Sequence, residues 1–168
     1  MINYYGYTTR KQIELMNGEI CQFFDGNLLD GDHLNQKYLN AYNLQMETPC
    51  AETQLGTFPD LTNESGFGIC QFDEIGFNHA KSRSMKYQNE IYDKWGVNID
   101  LIQLIELRYN VFLSLLFCRL YYKSIPDQIP SSREDRALYW KKHYNTYKGK
   151  GTTSHYLQSC EEILGEEK

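Results

Sequence analysis

Glu47 and the glycine-rich segment that follows it are the residues of this chain whose types and spacing best suit chemistry. Glu47 lies in the run NLQMET, residues 43–48, and the segment SGFGICQFD occupies residues 65–73. A glutamic acid that is partly buried against apolar or aromatic groups keeps its proton near neutral pH and can donate it to a glycosidic oxygen. Met46 and the loop 67–72 are candidates for that apolar wall. Glu47 taken alone reads as a solvated carboxylate at a helix end, and its role as a general acid depends on what the following segment resembles.

The residues of the glycine segment suit both a sugar site and an ordinary turn. Gly66 and Gly68 let the backbone approach a sugar closely or adopt positive φ, and the Gln71 amide can hold Glu47 or an N-acetyl group. The two glycines are also typical of a hairpin turn, and the apolar residues around them are typical of core filling. We expect both roles to coexist, with Phe67 also able to line a sugar subsite.

A second carboxylate would decide between two ways of completing glycoside cleavage. An inverting hydrolase needs a carboxylate about 6.5–9.5 Å from the acid to activate water. Two aspartates lie in this region, Asp60 before the glycine segment and Asp73 at its end. If neither activates water, the C6 hydroxyl of the sugar can attack the anomeric carbon and give a 1,6-anhydro product. The sequence leaves both routes open.

These motifs resemble those of a known family. The segment GFGICQFD, residues 66–73, resembles the active-site core of goose-type lysozymes, which reads Gly-Phe-Gly-Leu-Met-Gln-Val-Asp, and that of soluble lytic transglycosylases. The run YNTYKG, residues 144–149, is similar to the Ala-Tyr-Asn-x-Gly motif of that family, in which the Tyr hydroxyl lies beside the catalytic Glu. The resemblance implies that Tyr144, Asn145 and Tyr147 belong to the site. It also implies that Asp73 is the first candidate for the second carboxylate and that Asp60 is the second candidate. It also implies cleavage of the β-1,4 bond between N-acetylmuramic acid and N-acetylglucosamine, with no metal or organic cofactor.

Two further segments extend the resemblance. RYNV, residues 108–111, is similar to the Asn-Ile that opens the corresponding helix in transglycosylases, where we expect Asn110 to be structural. Residues 140–152 look like segments of phage-encoded proteins that act on bacterial walls. The expected partner is therefore the glycan strand of peptidoglycan, and the expected state is a monomer or a component of a phage particle.

Size and composition predict one globular domain over residues 1–168, because a chain of this length can bury a core without disulfides or metals. The formal charge of −5, without a dense block of Lys or Arg, argues against nucleic-acid binding. The most apolar segment, residues 101–122, contains three charged residues and predicts a core helix, not a membrane span. The start MINYYGY predicts no secretory signal, so we expect synthesis in the cytoplasm and action at the bacterial cell wall.

Helical periodicity predicts a mainly α domain of the lysozyme-like α+β type, built around one long buried helix, with a loop or small hairpin lining a substrate cleft. The predicted helices span about residues 9–24, 32–47, 84–95, 101–122, 131–144 and 152–164. Glu47 then ends the second helix, Asn98 caps the long one, and residues 49–78 form irregular loops. The acidic tail after Leu164 is expected to fray.

Two rival functions belong to other classes. A cysteine peptidase would use Cys50 with His79, because a nucleophilic thiol needs a helix N-terminus and a nearby His. A catalytically inactive lysozyme-fold protein would act as a phage structural or wall-binding module. The five cysteines show neither zinc-site nor disulfide spacing, so we expect reduced, buried thiols.

Overall fold

A computed structural model describes residues 4–6, 8–58, 66–147 and 149–167, and these residues are mainly helical, as predicted. Two-residue strands β1 (Leu29–Asp30) and β2 (His33–Leu34) pair antiparallel between the first two helices. The α-helices are α1 (Arg10–Asp25), α2 (Gln36–Thr53), α3 (Glu74–Ser84), α4 (Gln88–Trp95), α5 (Val111–Lys123), α6 (Arg133–Trp140) and α7 (Thr153–Leu164). Shorter helical turns span Met85–Tyr87, Leu104–Arg108 and Lys141–Asn145, the last of which is a π-helix.

Helix α5 is the centre of the core, and α1, α2 and α3 pack around it. Its residues Leu115, Leu116, Phe117 and Cys118 are fully buried. The buried central helix is therefore confirmed, but its predicted start at Asn98 is wrong. Asn110 caps α5 instead, because its side chain accepts a hydrogen bond from Leu113 N at 3.0 Å, and the chain before it forms a 3₁₀ turn.

Helix α2 does not end at Glu47 as predicted but continues through Pro49 to Thr53. A proline inside a helix removes one backbone donor and normally favours termination. Here the helix is packed against α1, α5 and α7, and this tertiary packing outweighs the local cost. The helix ends where Gln54 adopts a left-handed conformation with φ 48°. Glu47 is consequently an interior residue of α2, and Glu52 is the glutamate at its end.

Local capping signals account for the helices whose starts were predicted well. Thr9 forms a capping box with Gln12 at α1, Ser132 caps α6 through Asp135 N, and Thr152 caps α7. The predicted start of α2 at Asp32 is wrong, because Asp32 lies in the turn between β1 and β2. Asn35 caps α2 and also donates to the carbonyl oxygens of Asp25 and Asn27.

The irregular region is shorter than predicted, and the tail is better ordered. Helix α3 begins at Glu74, inside the segment that was expected to be loop. Glu167 in the acidic tail accepts hydrogen bonds from Arg136 and from the backbone N–H of Arg133 at 2.7 Å, so this part of the tail does not fray. The five cysteines are all buried and free, as expected.

Candidate functional site

Residues 66–73, named the glycine turn here, form a tight reversal outside the helices. Phe67 and Phe72 face each other and exchange backbone hydrogen bonds of 2.9 Å in both directions. Gly68 lies at the bend with φ +74°, and a Cβ there would stand 2.5 Å from Leu107 O and from Ser114 Oγ. The glycine is therefore required by positive φ and by close packing against protein. The predicted hairpin-like turn is confirmed, and Gly68 faces the core.

Hydrogen bonds from three parts of the fold hold the glycine turn over the end of α2. Thr53 Oγ1 donates to Ile69 O at 2.8 Å, and Tyr144 OH donates to Cys70 O at 2.6 Å. Cys70 N donates to Ser114 Oγ of α5 at 3.3 Å. The turn therefore contacts the C-terminal end of α2, helix α5 and the π-helix.

Glu52 is the carboxylate at this junction. It precedes Thr53, the last residue of α2, and is half-buried. Its Oε1 accepts a hydrogen bond of 3.0 Å from the indole Nε1 of Trp140. Glu52 is thus a partly accessible carboxyl that contacts the indole of a buried tryptophan.

Tyr144 lies close enough to Glu52 to be affected by its charge. Burial is the main reason that the pKa of the Tyr144 phenol lies well above its ordinary value, and the nearby Cys118, Cys70 and Glu52 raise it further. Burial likewise raises the pKa of Tyr122, with a smaller contribution from Glu52. Both phenols therefore stay protonated at neutral pH, and Tyr144 acts as the donor that fixes the glycine turn.

Glu47 occupies a different environment, which is that of a structural ion pair. Its side chain is 2% exposed, and Arg136 donates to both of its oxygens, each at 2.7 Å. Arg133 Nε donates to Oε1 at 3.1 Å, and Tyr156 OH donates to Oε2 at 2.8 Å. A carboxylate that accepts four hydrogen bonds, three of them from guanidinium groups, has no lone pair left for a transferable proton. None of these four hydrogen bonds comes from a residue of the glycine turn.

A cavity of about 300 Å³ lies beside the glycine turn and brings several predicted site residues together. The predicted residues that line it are Gln71, Asp73, Tyr144 and Asn145, and the others are Phe72, Ile75, Gly76, His79, Tyr121 and Thr146. Asp73 Oδ1 accepts a hydrogen bond of 2.6 Å from Gly76 N and so caps α3. The position of Asp73 is therefore explained by its role as the N-cap of α3.

The remaining predicted site residues lie in several different environments. The Gln71 amide donates to Gly68 O at 3.0 Å and to Tyr5 OH at 3.1 Å, so it holds the turn and not Glu47. Phe67 packs under the guanidinium of Arg108, 4.9 Å from the ring centre. Tyr147 is 86% exposed. Two further predicted residues are Gly66, whose missing Cβ makes room for the Gln71 side chain, and Asp60, which lies outside the described residues.

No known family model, curated protein or solved structure matches this chain. The site must therefore be interpreted from its own residues.

Sequence reasoning missed Glu52 because the second helix was expected to end at Glu47 and the residues from Pro49 on were expected to form loops. In the structure, the helix ends only at Thr53, and Gln54, Leu55 and Gly56 then adopt positive φ. Glu52, and not Glu47, is therefore the glutamate at the helix end.

The rival pair Cys50 and His79 does not form a nucleophilic site. Cys50 is fully buried inside α2, and its thiol donates to Met46 O. His79 Nε2 is hydrogen-bonded to Ser124 Oγ at 2.9 Å. A fully buried thiol in the interior of a helix is not accessible to a substrate.

The described residues offer neither a metal-ion cluster nor a membrane-spanning helix. They contain no cluster of three or more His, Cys, Asp or Glu that is suited to hold a metal ion. Within the same residues, every helix is too short or too polar for a bilayer crossing.

Proposed function

We propose that this chain is a peptidoglycan-cleaving glycosidase that cuts the β-1,4 bond between N-acetylmuramic acid and N-acetylglucosamine, with Glu52 as the general acid. The observation that supports the proposal is the position of Glu52. It is a half-buried carboxyl at the end of α2, held by Trp140 and placed beside Tyr144 under the glycine turn. This arrangement joins the two motifs that carry the resemblance to goose-type lysozymes and lytic transglycosylases.

The chemistry assigned to Glu52 is proton donation to the glycosidic oxygen as the sugar bond breaks. Glu47 was the acid expected from the sequence, but Arg133, Arg136 and Tyr156 occupy both of its oxygens, which leaves neither oxygen for a substrate. Glu52 accepts a hydrogen bond from the Trp140 indole, and its charge raises the pKa of the nearby phenols Tyr122 and Tyr144. We therefore transfer the role of acid from Glu47 to Glu52.

The cavity beside the glycine turn supplies the proposed sugar-binding surface. Tyr121 offers an aromatic face, and the side-chain amide of Asn145 suits the N-acetyl and hydroxyl groups of the substrate. Asp73, which lines the cavity, is the candidate to hold water for hydrolysis. Attack by the sugar's own C6 hydroxyl is the other route and leaves an anhydro end. The proposal includes a lysozyme-like fold and action at a bacterial cell wall, either in the periplasm or after delivery with a phage particle.

The decisive experiment compares wild type, Glu52→Gln and Glu47→Gln on purified peptidoglycan, with soluble fragments identified by mass spectrometry. We expect Glu52→Gln to lower fragment release by at least about a hundredfold, because the substitution keeps size but removes the proton. Folded Glu47→Gln should retain activity within about threefold, since that residue is not expected to touch the substrate. Reducing ends would identify a hydrolase, and 1,6-anhydro ends would identify a transglycosylase.

Two results would overturn the assignment. Loss of activity in folded Glu47→Gln with normal activity in Glu52→Gln would restore Glu47 as the acid. No release by wild type from walls of several chemotypes would remove the enzyme proposal.

A binding module without catalysis is the second candidate. It is favoured by Asp73, whose Oδ1 is committed to capping α3 and which is the one carboxylate among the described residues that line the cavity. A cavity with amides and an aromatic face can bind a glycan without cleaving it. Wild type that sediments with insoluble peptidoglycan but releases nothing would establish this function.

A further inference from the structure

A cavity of about 430 Å³, named the connector cavity here, lies between the ends of α1 and α5, the start of α2 and the chain that joins α5 to α6. Of the described residues, none lines both this cavity and the one beside the glycine turn. Its wall is held in place, because Asn40 Nδ2 donates to Ile129 O at 2.8 Å and Tyr139 OH donates to Asp127 O at 3.1 Å. The connector cavity is therefore a built part of the fold, with a volume in the range of ligand pockets.

Three cations share one buried carboxylate in this cavity. The side chain of Asp25 is fully buried and accepts hydrogen bonds from Arg119, through Nε at 2.8 Å and through Nη2 at 2.7 Å. Lys37 Nζ and Lys123 Nζ lie farther away, 3.6 Å and 3.8 Å from Asp25 Oδ1. Both ammonium groups are beyond the usual length of a hydrogen bond to that oxygen. The cluster thus carries more positive than negative charge, in a chain whose formal charge is −5.

The excess positive charge affects Lys123 itself. Burial is the main reason that the pKa of the Lys123 ammonium is lowered. Asp25 raises this pKa, whereas the charges of Arg119, Lys37 and Lys86 lower it further. Like charges that are held together in this way disfavour one another, and a bound anion would relieve the repulsion.

The protein supplies little further negative charge to this cluster. Arg119 Nη1 is buried and has no hydrogen-bond partner among the described residues, so Asp25 satisfies only part of the guanidinium. Asp127 also lines the cavity, but its Oδ2 is bonded to Lys142 Nζ at 2.7 Å and to His143 Nε2 at 3.1 Å. Its charge is therefore already matched by that of Lys142.

We propose that the connector cavity binds a small organic anion, with its anionic group between Lys37 and Lys123 and its apolar part on Ile125, Pro126 and Ile129. Each ammonium group has three N–H donors, which suit a carboxylate or a phosphate ester. The three apolar residues line the same cavity as the cations, so one ligand can contact both kinds of surface. This site goes beyond the proposed function and does not depend on it.

Binding can be measured by titrating ¹⁵N-labelled protein with hexanoate, with butyl phosphate and with hexanol. We expect saturable shifts of the backbone N–H signals of Lys123, Ile125 and Ile129 with at least one of the two anions. Hexanol should bind at least about tenfold more weakly, because hydrogen bonds to a charged group are about twice as strong as neutral ones. The anion with the lower Kd identifies the anionic group as a carboxylate or a phosphate ester.

Three results of the titration would overturn the inference. The first is the lack of saturable binding by either anion. The second is binding of hexanol as tight as that of the better anion, which would leave an apolar pocket without anion recognition. The third is a set of saturable shifts confined to residues outside the connector cavity.

Lys94 provides a matched control for the role of the cations. Its Nζ lies 3.6 Å from Glu19 Oε1, the same distance as in the pair of Lys37 with Asp25, and both lysine side chains are more than half exposed. Lys37→Gln should raise the Kd of the better anion about fivefold or more, because it removes one charge-assisted contact. Lys94→Gln removes the same charge away from the cavity, and its Kd should stay within about twofold of wild type.

The exposure of Lys37 means that its substitution keeps the fold, and circular dichroism of both variants checks this. Equal Kd values in folded Lys37→Gln and Lys94→Gln would overturn the inference. Lys123→Gln gives a second reading from the other side of the cavity, with the same expected rise in Kd. Anion binding with this pattern by a protein that cleaves no wall would support the site and overturn the proposed function alone.

Discussion

Glu47 and Glu52 lie on the same helix but accept hydrogen bonds from different groups. Their separation turns them about 140° apart around the axis of α2, so they face different neighbours. Glu47 faces Arg133, Arg136 and Tyr156, whereas Glu52 faces the indole of Trp140. The same side chain is thus a structural counterion at one position and a candidate acid at the other, because the partners differ.

The different surroundings predict that the same Glu→Gln substitution has a large effect on stability at Glu47 and a small effect at Glu52. Glu47→Gln should lower the free energy of unfolding by about 3–5 kcal/mol, because it sets an amide NH₂ against the buried guanidinium of Arg136. Glu52→Gln should change the free energy of unfolding by less than about 1 kcal/mol, since the amide oxygen can still accept from Trp140. Urea unfolding followed by circular dichroism measures both.

The exposed glutamate Glu161 of α7 provides the control, and its change to Gln should have almost no effect on stability. Equal stability losses in Glu47→Gln and Glu161→Gln would contradict the structural role of the Glu47 ion pair.

At the scale of elements, the glycine turn connects otherwise separate parts of the chain. It accepts hydrogen bonds from Thr53 at the end of α2 and from Tyr144 of the π-helix, and it packs on Ser114 of α5. A π-helix inside a helical run is uncommon and often occurs at functional sites. Here it directs Tyr144 toward Cys70 and Asn145 toward the cavity.

The packing of the glycine turn predicts a large effect of Gly68→Ala. A methyl group there would meet Leu107 O and Ser114 Oγ at 2.5 Å in addition to the strain of φ +74°. We expect a loss of about 3 kcal/mol or more, combining a left-handed backbone cost of about 1–2 kcal/mol with overpacking of about 1–3 kcal/mol. Chemical denaturation of the purified variant gives the value.

Gly31→Ala isolates the backbone contribution. Gly31 also has positive φ, +62°, but a Cβ there would meet nothing within 4 Å. Its loss should stay near 1–2 kcal/mol, about that of the strain alone. If Gly68→Ala lowered the free energy of unfolding no more than Gly31→Ala does, the close packing of the turn would contribute nothing to stability.

At the scale of the whole molecule, buried tyrosines and thiols should make the fold sensitive to alkali. Burial raises the pKa of Tyr122, Tyr144 and Tyr156 well above 10, and raises that of Cys21 to about 12. These groups ionise in the unfolded chain before they ionise in the folded one. Their contribution is therefore fully present below the ordinary pKa values of 9 to 10 and is lost as pH rises beyond them.

The resulting prediction is a free energy of unfolding that is level between about pH 7 and 8.5 and falls steeply above pH 9–10. Each such group contributes a slope of about 1.4 kcal/mol per pH unit. Urea unfolding at a series of pH values tests it, with Tyr122→Phe expected to reduce the alkaline slope by that amount. Stability that rises with pH in this range would contradict the burial of these groups.

Prediction from sequence succeeded where the deciding interactions lie within a few residues. The caps at Thr9, Ser132 and Thr152 each bond a backbone N–H three residues later, so the starts of their helices are readable from the sequence. The extent of α2 was not readable, because the helix continues through Pro49 only with the support of packed neighbours.

By itself, the sequence determined a mainly helical chain, buried thiols, and two motifs that the fold brings to one cavity through Gln71, Asp73, Tyr144 and Asn145. Only the tertiary structure decided which glutamate lies beside those motifs. Arg136 and Tyr156 pair with Glu47, and Trp140 contacts Glu52, across separations of more than 80 residues. Such long-range contacts leave no local pattern in the chain, because they depend on how helices pack and not on how each one begins or ends.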